Sequence, residues 1–169
     1  ESLVRHRIWI DLAHVTDATA LEIFPVLDRY GQPSLVTHTE LRDLKRSEKA
    51  VPRSTLDRVR STGGLVGLIP TEELDRPLPE SMGLTGGCRM GIRYFAEEWK
   101  RTVAVVGDPE GVALGSDFNA PIVGLSGECP SVQTPSDSGF ASKGFFRADQ
   151  LPFLREAMRS VGVDPEPNP

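Results

Sequence analysis

The alternation of strand-like and helix-like segments constrains the fold of this chain more than any other feature of its sequence. Apolar, β-branched runs occur at 8–12, 34–37, 65–69 and 112–114. Each run is followed by a segment with apolar residues three or four positions apart, at 17–30, 54–62, 91–106 and 147–161. Four βα units in succession predict a parallel sheet with right-handed crossovers, in either a barrel or a doubly wound sheet.

Residues that begin or end helices refine these bounds. Asp17 is predicted to be the N-cap of the first helix, and Gly31 ends that helix. Ser54 is predicted to open the second helix, which stops at Gly63-Gly64. The helices of the first two units are therefore bounded by recognisable capping and turn residues.

A barrel is favoured over a doubly wound sheet because no glycine-rich phosphate loop follows a strand. A complete (β/α)8 barrel takes about 250 residues. We therefore expect this α/β chain of 169 residues to be half of a TIM-type barrel, in a single domain over 1–169. The long loops at 70–90 and 118–146 would leave the carboxyl ends of strands, the rim on which barrels build active sites.

Composition narrows the class of partner. The chain carries 19 Lys and Arg against 24 Asp and Glu, a net charge of −5, which argues against a nucleic-acid partner. No apolar run approaches the roughly 20 residues needed to span a bilayer, so we expect no membrane segment. Cys88 and Cys129 fall in the two long loops. A disulfide in an exported protein and two free thiols in a cytoplasmic one both fit that spacing, which leaves localisation open.

Three polar residues stand where apolar runs end. His14 follows the first run, His38 follows the second and Asp117 follows the fourth. Histidine is a metal ligand and aspartate a general acid or base, and both chemistries are found at the carboxyl ends of barrel strands. The alternatives are ordinary ones, a hydrogen-bonded core or surface histidine and an aspartate that caps a helix.

The sequence resembles the membrane (renal-type) dipeptidases, peptidase family M19. The segments that carry the resemblance, in order and spacing, are IDLAHVT (10–16), Thr37-His38-Thr39, Val51-Pro52, GGLVG (63–67) and GSDF (115–118). They extend over about 2–160 and match the carboxyl-terminal half of that family. The resemblance implies an amidohydrolase-like barrel that hydrolyses dipeptides with a hydroxide held between two zinc ions.

Roles follow from the resemblance for particular residues. His14 and His38 match the histidines that bind the second zinc, and Asp117 matches the aspartate that carries a proton from the attacking water to the leaving amine. Asp11 has a family counterpart and would either orient a histidine or bind backbone. Lys49-Ala50 stands where relatives have Arg-Asn, so Lys49 would meet the substrate carboxylate without the bidentate fork of arginine.

The family's remaining ligands, a His-x-Asp motif and a bridging glutamate, have no counterpart in this chain. Two histidines leave a catalytic zinc site at least one protein ligand short, so we expect no dipeptidase activity from the chain alone. A half barrel would also expose sheet edges and apolar helix faces, which predicts pairing with the missing half or self-association. The alternative is a noncatalytic half-barrel that serves as a binding or interaction module.

Overall fold

The computed structural model describes residues 1–45, 47–70, 91–117, 151–160 and 162–165. The described helices are α1 (Ser2–Arg5), α2 (Asp17–Tyr30), α3 (Arg53–Thr62), α4 (Gly91–Val106) and α5 (Leu151–Ser160). The described strands are β1 (Leu35–Thr39), β2 (Leu65–Leu68) and β3 (Val112–Leu114), and a 3-10 turn at Pro109–Gly111 precedes the last. The predicted loops, including Cys88 and Cys129, lie almost entirely outside these residues.

The described strands form one parallel sheet. Its order is β1-β2-β3, the order of the chain. Leu35 pairs with Leu65 and Val66 pairs with Val112, so the first residues of the three strands lie within one residue of each other in register. An α/β fold with a parallel sheet is therefore confirmed, and the described part of the chain contains three of the four predicted strands.

The first predicted strand, 8–12, is reduced to a single residue of pairing. Asp11 makes an isolated parallel bridge to Leu35, and the Leu12 amide donates to the Leu35 carbonyl at 2.8 Å. Ile8 and Trp9 are about half exposed, at 49% and 59%. Among the described residues this segment has β1 as its neighbour on one side, and its pairing with β1 is limited to that bridge.

The ends of α2 and α3 agree with the sequence, whereas their starts differ from the predicted ones. Thr16, not Asp17, is the N-cap of α2, and its hydroxyl accepts from the Thr19 amide at 3.2 Å. Helix α3 begins at Arg53, one residue before the predicted start, with Pro52 in extended conformation at its N-cap. Gly31 and Gly63 end α2 and α3 in the left-handed conformation, as predicted.

Chain contacts divide the protein into two compact units. The first comprises 1–69 and 101–115, and the second comprises 70–100 and 116–169. In the first unit α3 packs against β2, and the buried side chains include Leu27, Val36, Leu56, Val59, Val66 and Leu68. Burying one such side chain contributes about 1.5–3 kcal/mol, so this layer is a major source of the unit's stability.

The second unit contains most of α4 and all of α5. Phe95 and Trp99 lie on one side of α4 and meet edge to face, with ring centroids 6.1 Å apart. In α5 the buried residues Leu154, Ala157 and Met158 follow the helical spacing. The bounds of α4 agree with the predicted 91–106, and α5 covers most of the predicted 147–161. None of the described helices has the length and apolarity required to cross a bilayer.

Candidate metal and substrate site

Two histidines meet at the carboxyl end of β1. His38 lies within β1, and His14 lies three residues beyond the bridge at Asp11. Their Nε2 atoms are 2.8 Å apart and their rings meet at 63°. The structure therefore brings together the two residues that the sequence proposed as metal ligands.

A chain of hydrogen bonds fixes the ring of His38. The Thr37 hydroxyl donates to Oδ2 of Asp11 at 2.5 Å and lies 2.9 Å from Nδ1 of His38. Because the single hydroxyl proton is used on Asp11, the hydroxyl oxygen accepts from His38 Nδ1–H. The neutral ring then carries its lone pair on Nε2, the atom that faces His14. A histidine ligand usually needs such a partner on its other nitrogen.

The Asp11 carboxylate is stabilised in its charged form. Partial burial raises the pKa of Asp11, but three hydrogen bonds outweigh that effect and hold the pKa below its ordinary value. They come from the Thr37 hydroxyl, the Thr37 amide at 2.9 Å and the Ala13 amide at 3.0 Å. An ionised Asp11 can accept hydrogen bonds and cannot donate one, which supports the direction of the chain through Thr37.

The backbone is unusual at two of the predicted site residues. His14 has φ 59° and Asp117 has φ 45°, both in the left-handed region that glycine adopts most readily. Such a conformation costs roughly 1–3 kcal/mol in a non-glycine residue and clusters at functional sites. Asp117 belongs to the second compact unit, whereas His14 and His38 belong to the first.

Two glycines crowd the backbone that carries His38. A Cβ on Gly67 would lie 2.1 Å from the Thr37 carbonyl oxygen, and a Cβ on Gly115 would lie 2.2 Å from the same atom. The Gly115 Cβ would also lie 2.9 Å from Cα of His38. Neither position has room for a side chain, so the glycines let neighbouring backbone close tightly around the histidine.

Lys49 lies in the segment that follows β1. Together with His14 it lines a shallow depression open to solvent, whose other walls include Val15, Ala50 and Pro52. The Lys49 side chain is exposed, and within the described residues its Nζ has no ion-pair or hydrogen-bond partner. The structure thus puts a free cation and a histidine on one surface.

Arg42 also lines this depression, and the sequence analysis did not single it out. Its guanidinium binds both oxygens of Asp17, at 2.5 and 3.0 Å, and donates to the carbonyls of Glu48 and Ala50 at 3.2 and 2.9 Å. The bidentate pair lowers the pKa of Asp17 below its ordinary value. No local motif marks such a residue, because its partners lie 25 residues before it and 6 to 8 residues after it.

The histidine pair is suited to part of a zinc site. Imidazole nitrogen is a preferred zinc ligand, and two Nε2 atoms converge with one lone pair already fixed. Among the residues that the structure describes, no group of three or more His, Cys, Asp and Glu side chains could hold a metal ion. The described residues therefore fit two ligands of a site that needs more.

Comparison with protein families identifies the chain. The family model for membrane dipeptidase, peptidase family M19, matches residues 2–128. The chain therefore belongs to the M19 membrane dipeptidase family. No curated protein sequence matches it significantly.

Solved structures support the fold. The chain is similar to dipeptidase AC, a metallopeptidase of family M19, with a TM-score of 0.65 and 22% identity. It is also similar to a Rhodobacter sphaeroides metallopeptidase bound to a phosphinate mimic of L-Ala-D-Ala, with a TM-score of 0.63 and 22% identity. A third similar structure is a Pseudomonas aeruginosa amidohydrolase, with a TM-score of 0.62 and 16% identity. In all three comparisons 96% of this chain is covered, against 40%, 39% and 48% of the respective structures. The chain thus spans less than half the length of these proteins.

Proposed function

We propose that this chain forms part of the active site of a zinc dipeptidase, with the rest of the metal site on sequence that the chain does not contain. The observation that carries the proposal is the close approach of the His14 and His38 Nε2 atoms, which are 2.8 Å apart. The His38 ring is in turn connected to Asp11 through the Thr37 hydroxyl. Membership of the M19 family supplies the reaction class. In this proposal residues 1–169 are one domain with four βα units, half of a TIM-type barrel.

His14 and His38 are the proposed metal ligands, and Asp11 is the residue that orients His38. Zinc, when bound, would lower the pKa of a water molecule and polarise the peptide carbonyl. Asp117 is the proposed proton carrier, since a carboxylate can accept a proton during attack and return it to the leaving amine. Its left-handed backbone, at φ 45°, is of the kind that is retained at functional sites.

Lys49 is the proposed contact for the free carboxylate of a dipeptide. Its ammonium is exposed on the depression that His14 also lines. Lysine acts as a point charge where arginine would make a bidentate pair. We therefore expect carboxylate recognition by charge and distance, with less selection for the orientation of the carboxylate plane.

The segment around Ile8 and Trp9 is the proposed contact with the missing units. Both side chains are about half exposed, Leu3 and Leu21 are 53% and 66% exposed, and the backbone of 8–10 extends past the single bridge at Asp11. Exposed apolar side chains beside a sheet edge favour addition of a strand. A βα segment that carries the remaining ligands fits this edge, and a second copy of the chain is the other possible occupant.

The test measures zinc content and dipeptide hydrolysis in the complete polypeptide or complex that carries this chain. We expect bound zinc and turnover in the wild type, and loss of both in His14→Ala and His38→Ala. Thr37→Val should weaken zinc binding about 10–100-fold, as removal of a residue that orients a ligand does. Asp117→Asn should keep its zinc and lose turnover.

His6→Ala is the matched control, because His6 is exposed at the end of α1 and takes no part in the pair. Its zinc content and activity should equal those of the wild type. Unchanged zinc in His14→Ala would contradict the ligand assignment. A folded assembly with neither zinc nor turnover would favour the noncatalytic binding module, which the two-ligand count in the described residues already makes the second candidate.

A further inference from the structure

We infer that Arg42 is a positioning residue that fixes the Lys49-bearing segment to the start of α2, and so sets where the lysine cation stands relative to His14. The inference rests on the proposed function for the role of Lys49 in carboxylate binding. The clamp itself rests on the hydrogen bonds of Arg42. We name the segment 40–51 the Lys49 loop.

The neck of the Lys49 loop is closed by backbone pairing. Leu41 and Val51 form a parallel bridge, the Val51 amide donates to the Glu40 carbonyl at 2.8 Å, and the Arg42 amide donates to the Val51 carbonyl at 3.0 Å. Inside the loop Lys45 forms an ion pair with Glu40, and both side chains are buried, at 6% and 11% exposed. The base of the loop is therefore rigid before the tip is considered.

The tip of the loop is held by the side chain of Arg42, which lies near the start of the same loop. Nε donates to the Ala50 carbonyl at 2.9 Å, and Nη2 donates to the Glu48 carbonyl at 3.2 Å, so the two residues flanking Lys49 are both bound by one side chain. Nη1 and Nη2 also grip Asp17 at 2.5 and 3.0 Å. Asp17 is the first residue of α2 and comes three residues after His14.

The same bonds exclude Arg42 as the substrate's own carboxylate receptor. Four of the five N–H donors of a guanidinium are engaged on protein acceptors in the bonds to Asp17, Glu48 and Ala50. Lys49 has the opposite character, since its ammonium is exposed on the depression beside His14. The two cations thus have different roles. The Arg42 guanidinium binds protein acceptors, and the Lys49 ammonium is available to a ligand.

Planarity explains why arginine is needed at this position. Only a fork with separated donors can reach a carboxylate on one side and two carbonyls on the other. A lysine at position 42 would keep the charge and bind one of these acceptors at a time. The substitution Arg42→Lys therefore separates a positioning role from a purely electrostatic one.

The first measurement is hydrogen exchange at the amides of Lys49, Ala50 and Val51 in the complete polypeptide or complex. Arg42→Ala and Arg42→Lys should speed exchange at these amides about tenfold or more. In the wild type, local opening of the loop has to break the hydrogen bonds of Arg42, and in the variants it does not. Arg58→Ala is the matched control, since it removes a comparable pair with Asp28 near the other end of α2. Exchange in the Lys49 loop should not change in that variant.

The second measurement is steady-state dipeptide hydrolysis. We expect Arg42→Ala and Arg42→Lys to raise KM about tenfold with kcat within about threefold, the pattern of lost binding without lost chemistry. Lys49→Ala should raise KM similarly, and Arg42→Ala/Lys49→Ala should be no worse than Lys49→Ala alone, because Arg42 acts through the lysine.

The outcomes separate this inference from the proposed function. Unchanged exchange in Arg42→Ala overturns the inference even if the enzyme is active. Faster exchange with unchanged KM, full activity in Arg42→Lys, or additive effects in the double variant also overturn it. If no form of the protein hydrolyses dipeptides, the proposed function fails, and the exchange measurement alone decides whether Arg42 holds the loop.

Discussion

At the end of the sheet where β1 and β2 begin, the left-handed residues that end the preceding helices are glycines, and at the other end a left-handed residue is a histidine. Gly31 and Gly63, which end α2 and α3 before the strands begin, have φ 61° and 60°. His14, on the side where β1 ends, has φ 59° and carries a Cβ. The glycines adopt the left-handed conformation without steric strain. His14, a candidate metal ligand, adopts the same conformation at a cost in free energy because it has a Cβ.

The ion pairs at the two ends of α2 differ in the same way: one joins two helices, and the other positions a candidate site residue. Near its carboxyl terminus Asp28 binds Arg58, whose guanidinium also lies 4.9 Å above the Phe24 ring and ties α2 to α3. At its amino terminus Asp17 binds Arg42, which in turn holds the backbone on both sides of Lys49. The comparison teaches that one end of this layer is built for stability and the other is built around residues with specific positions, a division typical of barrels.

The largest expected effect is at the crowded glycines beside His38. Gly115→Ala should lower the free energy of unfolding by roughly 3 kcal/mol or more, because its Cβ would overlap backbone that cannot give way. Gly31→Ala should cost only about 1 kcal/mol, since it is strained in φ but has open space around it. Urea unfolding of both variants measures the difference. Equal costs would contradict the close approach at Gly115.

The next largest effect is expected at the buried ion pair of the Lys49 loop. Lys45→Met should cost about 1–3 kcal/mol, because it leaves the buried Glu40 carboxylate without this hydrogen-bond partner. Arg58→Met breaks the pair with Asp28, which is 54% exposed, and should cost about 0–1 kcal/mol before its packing on Phe24 is counted. Denaturant midpoints of the two variants give this ratio, and a smaller loss in Lys45→Met would reverse our ranking of the two pairs.

A smaller effect concerns the backbone of His14. His14→Gly and His14→Ala both lose the contact with His38, so they differ mainly in the strain of a Cβ at φ 59°. We expect the glycine variant to be more stable by about 1 kcal/mol. In an exposed helical position such as Thr19 the order should be reversed by a similar amount. A more stable alanine variant at position 14 would show that the left-handed turn is not strained.

The smallest effect is a dependence on pH. Because Arg42 lowers the pKa of Asp17 below its ordinary value of 3.8, the pair contributes stability above that value and loses it as pH falls through the folded-state pKa. Asp17→Asn should therefore destabilise by under about 1 kcal/mol at neutral pH, and the difference from the wild type should vanish in acid. In the Arg42→Ala background the same substitution should be neutral throughout, and a pH-dependent effect there would assign the shift to another group.

Local sequence patterns predicted several helix bounds well. The apolar spacing of α4 gave its bounds at Gly91 and Val106, and Gly31 and Gly63 marked two helix ends, because these signals involve residues close in sequence. The predicted strand over 8–12 kept only the bridge at Asp11, since pairing depends on a neighbour and not on propensity alone.

At the site end, the sequence predicted which residues meet but not how they are held. The ends of two strands indicated that His14 and His38 would converge, and the structure agrees. Asp11 was expected to orient a histidine or bind backbone; it binds the backbone amides of Ala13 and Thr37, and the Thr37 hydroxyl lies between it and the His38 ring. The N-cap role expected of Asp17 is taken by Thr16, because Asp17 is drawn to Arg42, a partner that no local spacing reveals.

The glycines beside Thr37 also bear on how relatives of this chain can diverge. At positions 31 and 63 the requirement is a backbone angle, which asparagine can also meet, so drift between the two residues costs little. At positions 67 and 115 the requirement is the absence of any side chain, and every single-step substitution collides with the Thr37 carbonyl. Lineages that lose the dipeptidase site should be free to change His14 long before they can change either of these glycines.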